Sequence, residues 1–379
     1  MKSRKLTCVV ALILFAVVPT ALASTTWYVN GVSGRDSNNC LSATTACKTI
    51  RHAIALALSG DSIIVAPATY TENLTIGKSL TVVGSGASTT VIDGGAVNSV
   101  ATISNTSVHV TLSKVTIRNG HARFYGGGIY KVGTLQITDS IVTANFAGAI
   151  RCYEFCAAWG GGIYNYAGAT MVISKSTIAN NLAYLSCSQF RCYVALGGGI
   201  ANEGQLTVTD STVTGNTARY VFNGTSTGFG GGIYNDNGGI VVINSSTISG
   251  NTAFGSGGGV SNGSTVYLQN SIVANNSRGN CSGTMTSKGY NLSSDKSCNF
   301  NGPGDMNHIN PMLGALQNNG GPTQTQALLP GSPAVDAGNP SGCTDGHGHL
   351  LKTDQRGMPR PDPEDTGGCD MGAYESQGD

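Results

Sequence analysis

Arg118, His121 and Arg123 stand close together in the chain. Arginine neutralises a carboxylate and histidine takes up a proton near neutral pH, so the trio has the residue types for removing a proton beside a uronate carboxylate. Further on, Arg151, Glu154, Arg191 and Arg219 are interspersed with Tyr125, Tyr153, Trp159, Tyr193 and Tyr220. Aromatic faces stack on pyranose rings, and guanidinium groups fork onto carboxylates, so these side chains form a candidate sugar-binding set. Most lie in five segments, 121–125, 146–159, 182–196, 217–229 and 252–255, which hold 13 of the 25 aromatic residues in 51 of 379 positions. The same enrichment has a plainer reading, because rings supply large buried area wherever they pack and long loops need a small core of their own. Carboxylates are sparse here. Asp139, Glu154, Asp210 and Asp236 include no close group of three such as calcium requires. Asp139 and Asp210 occupy equivalent places in a repeat, with Lys175 and Asn244 read in their stead nearby, which suggests turn chemistry rather than a catalytic pair.

The repeat decides what positions these segments. Five Gly-Gly-Gly-Ile/Val strands begin at Gly126, Gly160, Gly197, Gly230 and Gly257. Each is followed by an alternating block: LQITDSIVTAN from 135, MVISKSTIANN from 171, LTVTDSTVTGN from 206, VVINSSTISGN from 241 and VYLQNSIVANN from 266, with an earlier copy from 110. Block starts are spaced 25, 36, 35, 35 and 25, a basic period of 25 lengthened by insertions. Short strands at that period, without helices, imply an all-β solenoid whose turns stack at about 4.8 Å and bury an apolar face only together. Asn165, Asn202, Asn235 and Asn262 recur after the Gly-rich strand, and Asn145, Asn181, Asn216, Asn251 and Asn276 after the later one, so hydrogen-bonded asparagine ladders are expected. The same register reaches back through Val142 and Ile117 to Ile92. Upstream, residues 48–58 are amphipathic at helical spacing and end at Gly60, a helix suited to cap the first coil and cover its bare edges. The segments rich in aromatics occupy the same place in successive coils and should stack on one side.

Lys2, Arg4 and Lys5, an apolar run over 6–18 and Ala21-Leu-Ala23 read as a signal peptide cut after Ala23. The remaining ten cysteines fall into close pairs: Cys40 with Cys47, Cys152 with Cys156, Cys187 with Cys192, Cys281 with Cys298, and Cys343 with Cys369. In an exported chain local disulfides are the natural reading, and no spacing suggests a metal site. With 11% charged residues and a formal net charge of +1, the chain lacks the basic surface of a nucleic-acid binder.

Trp27-Tyr-Val-Asn30, Cys47-Lys-Thr-Ile50, Gly60-Asp-Ser-Ile63 and Tyr70-Thr-Glu-Asn73 resemble the start of right-handed parallel β-helix proteins of the pectate-lyase-like superfamily. The tail, through Asn318-Asn-Gly-Gly-Pro-Thr-Gln-Thr325, Gly331-Ser-Pro-Ala-Val-Asp336, Thr353-Asp-Gln-Arg-Gly357 and Cys369-Asp-Met-Gly-Ala-Tyr-Glu375, resembles a choice-of-anchor domain of exported bacterial β-helix proteins. That resemblance implies a right-handed parallel β-helix. It leaves activity open, because the superfamily includes lyases, hydrolases, epimerases, adhesins and proteins without activity. The expected organisation is a signal peptide over 1–23, an N-terminal strand, disulfide loop and cap helix over 24–60, the β-helix over 61–300, and an irregular closing segment over 301–379. The expected function is secreted or cell-surface binding of a polysaccharide or surface glycan by a monomer, without cofactor, nucleic acid or transmembrane segment. The alternatives are a lyase or epimerase on an acidic polysaccharide, for which alone calcium would come into question, and a structural or adhesive protein.

Overall fold

The computed structural model describes residues 24–152, 156–187, 192–346, 348–363 and 368–378; the expected signal peptide lies outside them. Among the described residues the chain coils through three parallel sheets, the parallel β-helix that the repeat implies. The first face has ten strands, from Thr26–Val29 and Ser62–Val65 through Gln205–Thr209 to Thr286–Ser287. The second face is made of strands of two to four residues such as Thr212–Thr214, and the third of strands such as Ile200–Asn202. Inward side chains align in register. Ile92, Ile117 and Val142 are successive partners, as the period requires. Ile63, Val82, Leu112, Ile137, Ile173 and Val208 form one apolar file of the common core.

Glycine opens five of the eight third-face strands because the backbone demands it. Gly197 has φ +64°, and a Cβ there would lie 2.3 Å from the Ile200 carbonyl oxygen. At Gly198 it would lie 2.5 Å from the Gly231 oxygen in the next coil.

Both asparagine ladders form. Asn145 Nδ2 donates to Asn181 Oδ1 at 2.9 Å, and the relay continues through Asn216, Asn251 and Asn276 to Asn280. Each of the five donors also gives a hydrogen bond to a backbone carbonyl, so none of these five amide groups is left unmet. The second ladder runs Asn165, Asn202, Asn235, Asn262. Its first member is a lysine: Lys131 Nζ donates to Asn165 Oδ1 at 2.5 Å and to the Thr170 carbonyl at 2.9 Å. The coil before it offers Ile103 at that register, which has no donor, so an asparagine at 131 would bury an unmet oxygen. An amine donates without needing to accept.

The cap helix is Ile50–Leu56, shorter than the amphipathic stretch suggested. Remote side chains stop it at both ends. Thr49 Oγ1 accepts from the His52 N–H, and the Glu72 carboxylate accepts from the Ile50 and Arg51 N–H groups, each at 2.9 Å. Lys78 Nζ donates to the carbonyls of Ile54, Ala55 and Ala57, and Asp61 accepts from the Leu58 N–H. The loop closed by Cys40–Cys47 covers the outermost strand, with Tyr28 N–H bonded to the Cys40 carbonyl and Cys47 N–H to that of Tyr28. That edge is therefore closed to further strand pairing. Glu72→Ala removes two charge-assisted bonds and is expected to destabilise this end by about 1.5–3 kcal/mol. Hydrogen exchange should show faster exchange at Ile50 and Arg51, with the central coils unchanged.

Residues beyond 310 do not simply close the end of the coil. They turn back along the outer side of the second face. Gln355 bridges Thr212 Oγ1 at 2.7 Å and Thr177 Oγ1 at 3.0 Å, Ala373 N–H donates to Thr247 Oγ1, and Asn339 N–H donates to Asn270 Oδ1. Arg360, whose side chain is inaccessible to solvent, joins Asp210 at 2.8 Å to Glu375 at 2.7 Å. Arg356 pairs with Asp354 and lies over the Tyr374 ring. The bends between first and second faces carry left-handed backbone at Lys114, Asp139, Lys175, Asp210, Ser245 and Asn270. Ser245, rather than Asn244, is thus the counterpart of Asp210.

Candidate functional site

The inserted segments build a wing at the corner between second and third faces. Its strands His121–Ala122, Phe146–Cys152, Leu182–Cys187 and Thr217–Phe222 pair in parallel, and Cys156–Trp159 and Cys192–Leu196 return the chain to the third face. Ala158, Ala183, Leu185 and Ala195 form a separate small core, against which Phe124, Tyr220 and Phe222 pack. Much of the aromatic enrichment therefore fills the wing itself. Cys156 and Cys187 are disulfide-bonded, and their partners fall on side chains outside the described set; the ladders place Cys152 beside Cys187 and Cys156 beside Cys192. Cys281–Cys298 and Cys343–Cys369 form as expected.

Strand alternation divides the single wall expected from the sequence. Tyr220 turns into the wing core and stacks on Phe222, where burial raises its phenol pKa. Arg219, its neighbour, points to the opposite face and lies 4.7 Å over the Phe254 ring. The His121 ring packs tilted against Phe146, with centroids 4.4 Å apart. Arg118 donates to Asp93 at 2.9 Å; although burial opposes it, bonds from Gly95 N–H, Arg118 and Asn119 hold that carboxyl below its ordinary pKa. Arg118 and His121 are thus engaged in local contacts. Tyr153, Glu154 and Arg191, with the side chains of Arg151 and Tyr193, lie outside the described residues.

Arg123 and Tyr125 do share a surface, on the outside of the third face, and Trp159 packs behind Tyr125. A cavity of about 340 Å³ opens there between Asn73, Thr75, Asn98, Ser99, Thr102, Arg123, Phe124, Tyr125 and Tyr130. Its wall is a cluster of rings. Tyr125 stacks on Tyr164 at 4.9 Å and 26°, Tyr130 on Tyr164 at 5.8 Å and 22°, and Trp159 meets Tyr125 edge-on at 5.6 Å. Tyr164 donates its hydroxyl to Glu203 at 2.5 Å, and Asn237 donates to the other oxygen of that carboxylate. Burial, together with the Glu203 bond, raises the Tyr164 pKa, and burial raises that of Tyr130. Both phenols stay protonated at neutral pH. Among the lining residues Arg123 is the one formal charge, held 5.1 Å over the Phe124 ring. Among the described lining residues there is no carboxylate or imidazole, and the cavity has groups to stack on and to donate hydrogen bonds.

Sequence reasoning missed Tyr130, Tyr164, Asn73 and Thr102. The signal was present in Gly-Gly-Gly-Ile-Tyr-Asn: with isoleucine and asparagine inward, the residue between them must face out.

No family model matches the chain, and no curated protein matches it. Among solved structures, it is similar to a pectate lyase, Pel9A, at 14% identity and TM-score 0.44, with 94% of this chain and 98% of that one covered. Pectin methylesterase PemA from Erwinia chrysanthemi is similar at 15% identity and TM-score 0.38, over 74% of this chain and 82% of that one. Both are likenesses of fold, and no residue of the cavity is assigned from them.

Proposed function

We propose that the chain is an exported β-helix that binds a polysaccharide, without cleaving it, in the cavity between the third face and the wing. The observation that carries this reading is the pairing of half-exposed Tyr130 and Tyr125, 37% exposed, with the Arg123 guanidinium around one open cavity. Ring faces of this kind bury the apolar face of a sugar, and arginine and amide groups meet its oxygens. Disulfides are in keeping with an oxidising compartment. Among the described residues no helix is long and apolar enough to cross a membrane.

The test is electrophoresis of the purified protein through gels containing polygalacturonate or alginate, with ultraviolet absorbance of the mixture followed in parallel. Retarded migration without new absorbance from unsaturated uronates is expected. Tyr130→Ala should weaken retention about tenfold, roughly 1.4 kcal/mol, within the range for losing one stacked ring. Unsaturated product would overturn the non-catalytic assignment, and equal migration of the wild type in all gels would overturn binding.

A further inference from the structure

Resting on that reading, we infer that the cavity accepts the end of a polysaccharide chain and excludes its interior. The argument comes from how far the outward file of the third face stays open. Thr75, Thr102, Tyr130, Tyr164 and Ala201 are register partners on consecutive coils. Thr75 is exposed and Thr102 and Tyr130 are half-buried, but Tyr164 is 3% exposed and Ala201 1%. Tyr125 stacked on Tyr164, with Trp159 against its edge, roofs the file one coil past Tyr130. At the other end, Leu74–Ile76 is the edge strand of this sheet, so the file opens outward.

Three open rungs span only about 10 Å at the inter-strand spacing. The advance per residue of an extended 1,4-linked pyranose chain is close to that spacing, so the floor holds two or three sugars before the rings stop it. A chain interior would have to continue through Tyr164 and Ala201, where no surface is available. The open end also carries a polar instruction. Asn73 donates Nδ2 to the carbonyls of Gly94, Asn98 and Ser99, which fixes the amide and leaves Oδ1 as an acceptor. That oxygen suits a sugar hydroxyl, and Arg123, also in the lining, suits an oxygen-rich or anionic group.

Polygalacturonate split into fractions of different mean length tests this at equal total mass, with binding followed by calorimetry. We expect saturation to track the concentration of chain ends, so a fraction fourfold shorter should fill about four times as many protein molecules. Saturation that tracks polymer mass would overturn end recognition and leave polysaccharide binding standing. No heat with this polymer, together with no retention in any glycan gel, would overturn both. Tyr125→Ala removes the roof and should shift saturation toward polymer mass; persistent end-tracking in a folded variant would overturn the assignment of Tyr125 as the stop. Thr102→Trp fills the floor from an outward position and should abolish saturation by short and long fractions alike, and undiminished binding would overturn the site.

Discussion

Arg360→Met should destabilise the protein by about 3–5 kcal/mol and free the C-terminal segment from the second face. The guanidinium lies between Asp210 and Glu375 with no solvent contact, donating also to the Gly372 carbonyl. Removing it strips Asp210 Oδ1 and Glu375 Oε2 of a donor inside the fold, where Glu375 Oε1 already has no hydrogen-bond partner. Burial raises the pKa of both acids, that of Glu375 to about 8 and that of Asp210 to about 7, while Arg360 opposes the rise in each. The folded state therefore holds protons that the unfolded chain releases above about pH 4. This contribution to docking is greatest below about pH 4, declines as pH rises from there to 7–8, and is level above. Glu375→Gln should flatten that slope. Limited proteolysis between residues 311 and 378, followed against pH, measures both effects; a protected tail in the Arg360→Met protein would contradict the argument.

Lys131→Met should remove a dependence of stability on pH in the opposite direction. Burial lowers the Lys131 pKa from 10.5 to about 7. As pH falls, the unfolded chain takes up that proton first. This contribution is therefore greatest above about 10.5, declines by about 1.4 kcal/mol per unit as pH falls toward 7, and is level below it. The summed loss is on the order of 4–5 kcal/mol. The methionine variant should lack this slope while losing the donors to Asn165 Oδ1 and the Thr170 carbonyl, which costs about 1–3 kcal/mol at alkaline pH. Urea unfolding of both proteins between pH 7 and pH 9.5 gives the comparison. Parallel curves would show that Lys131 keeps its charge in the fold.

The parts of the structure that repeat were legible in the sequence, because periodicity turns a local pattern into a three-dimensional address. Ile92, Ile117 and Val142 are partners in consecutive coils, and the recurring asparagines join in ladders. What does not repeat was hidden. Asp139 and Asp210 share a residue type and a place in the block, yet Asp210 is buried against Arg360, 150 residues away. No local feature announces that contact. Similarly, the wing residues were known to gather, but the face of the strand on which each falls separates Arg219 from Tyr220. Tyr130 lies in a motif whose repeating signal is its glycines, with the outward tyrosine replaced by Ala201 and Ser261 in other copies.

The tail touches successive bends through different residues: Lys175 donates to Thr353, Asp210 pairs with Arg360, and Asn270 accepts from Asn339 N–H. Blocks of one pattern can be duplicated or lost when a gene is copied, and a bare stack of coils would tolerate either. Here an extra coil between Lys175 and Asn270 would offset the far attachment points by about 4.8 Å and bring the wrong bend residue opposite Arg360. The C-terminal strap thereby works as a gauge of repeat number, admitting one tally of coils and resisting the drift in length to which tandem repeats are prone.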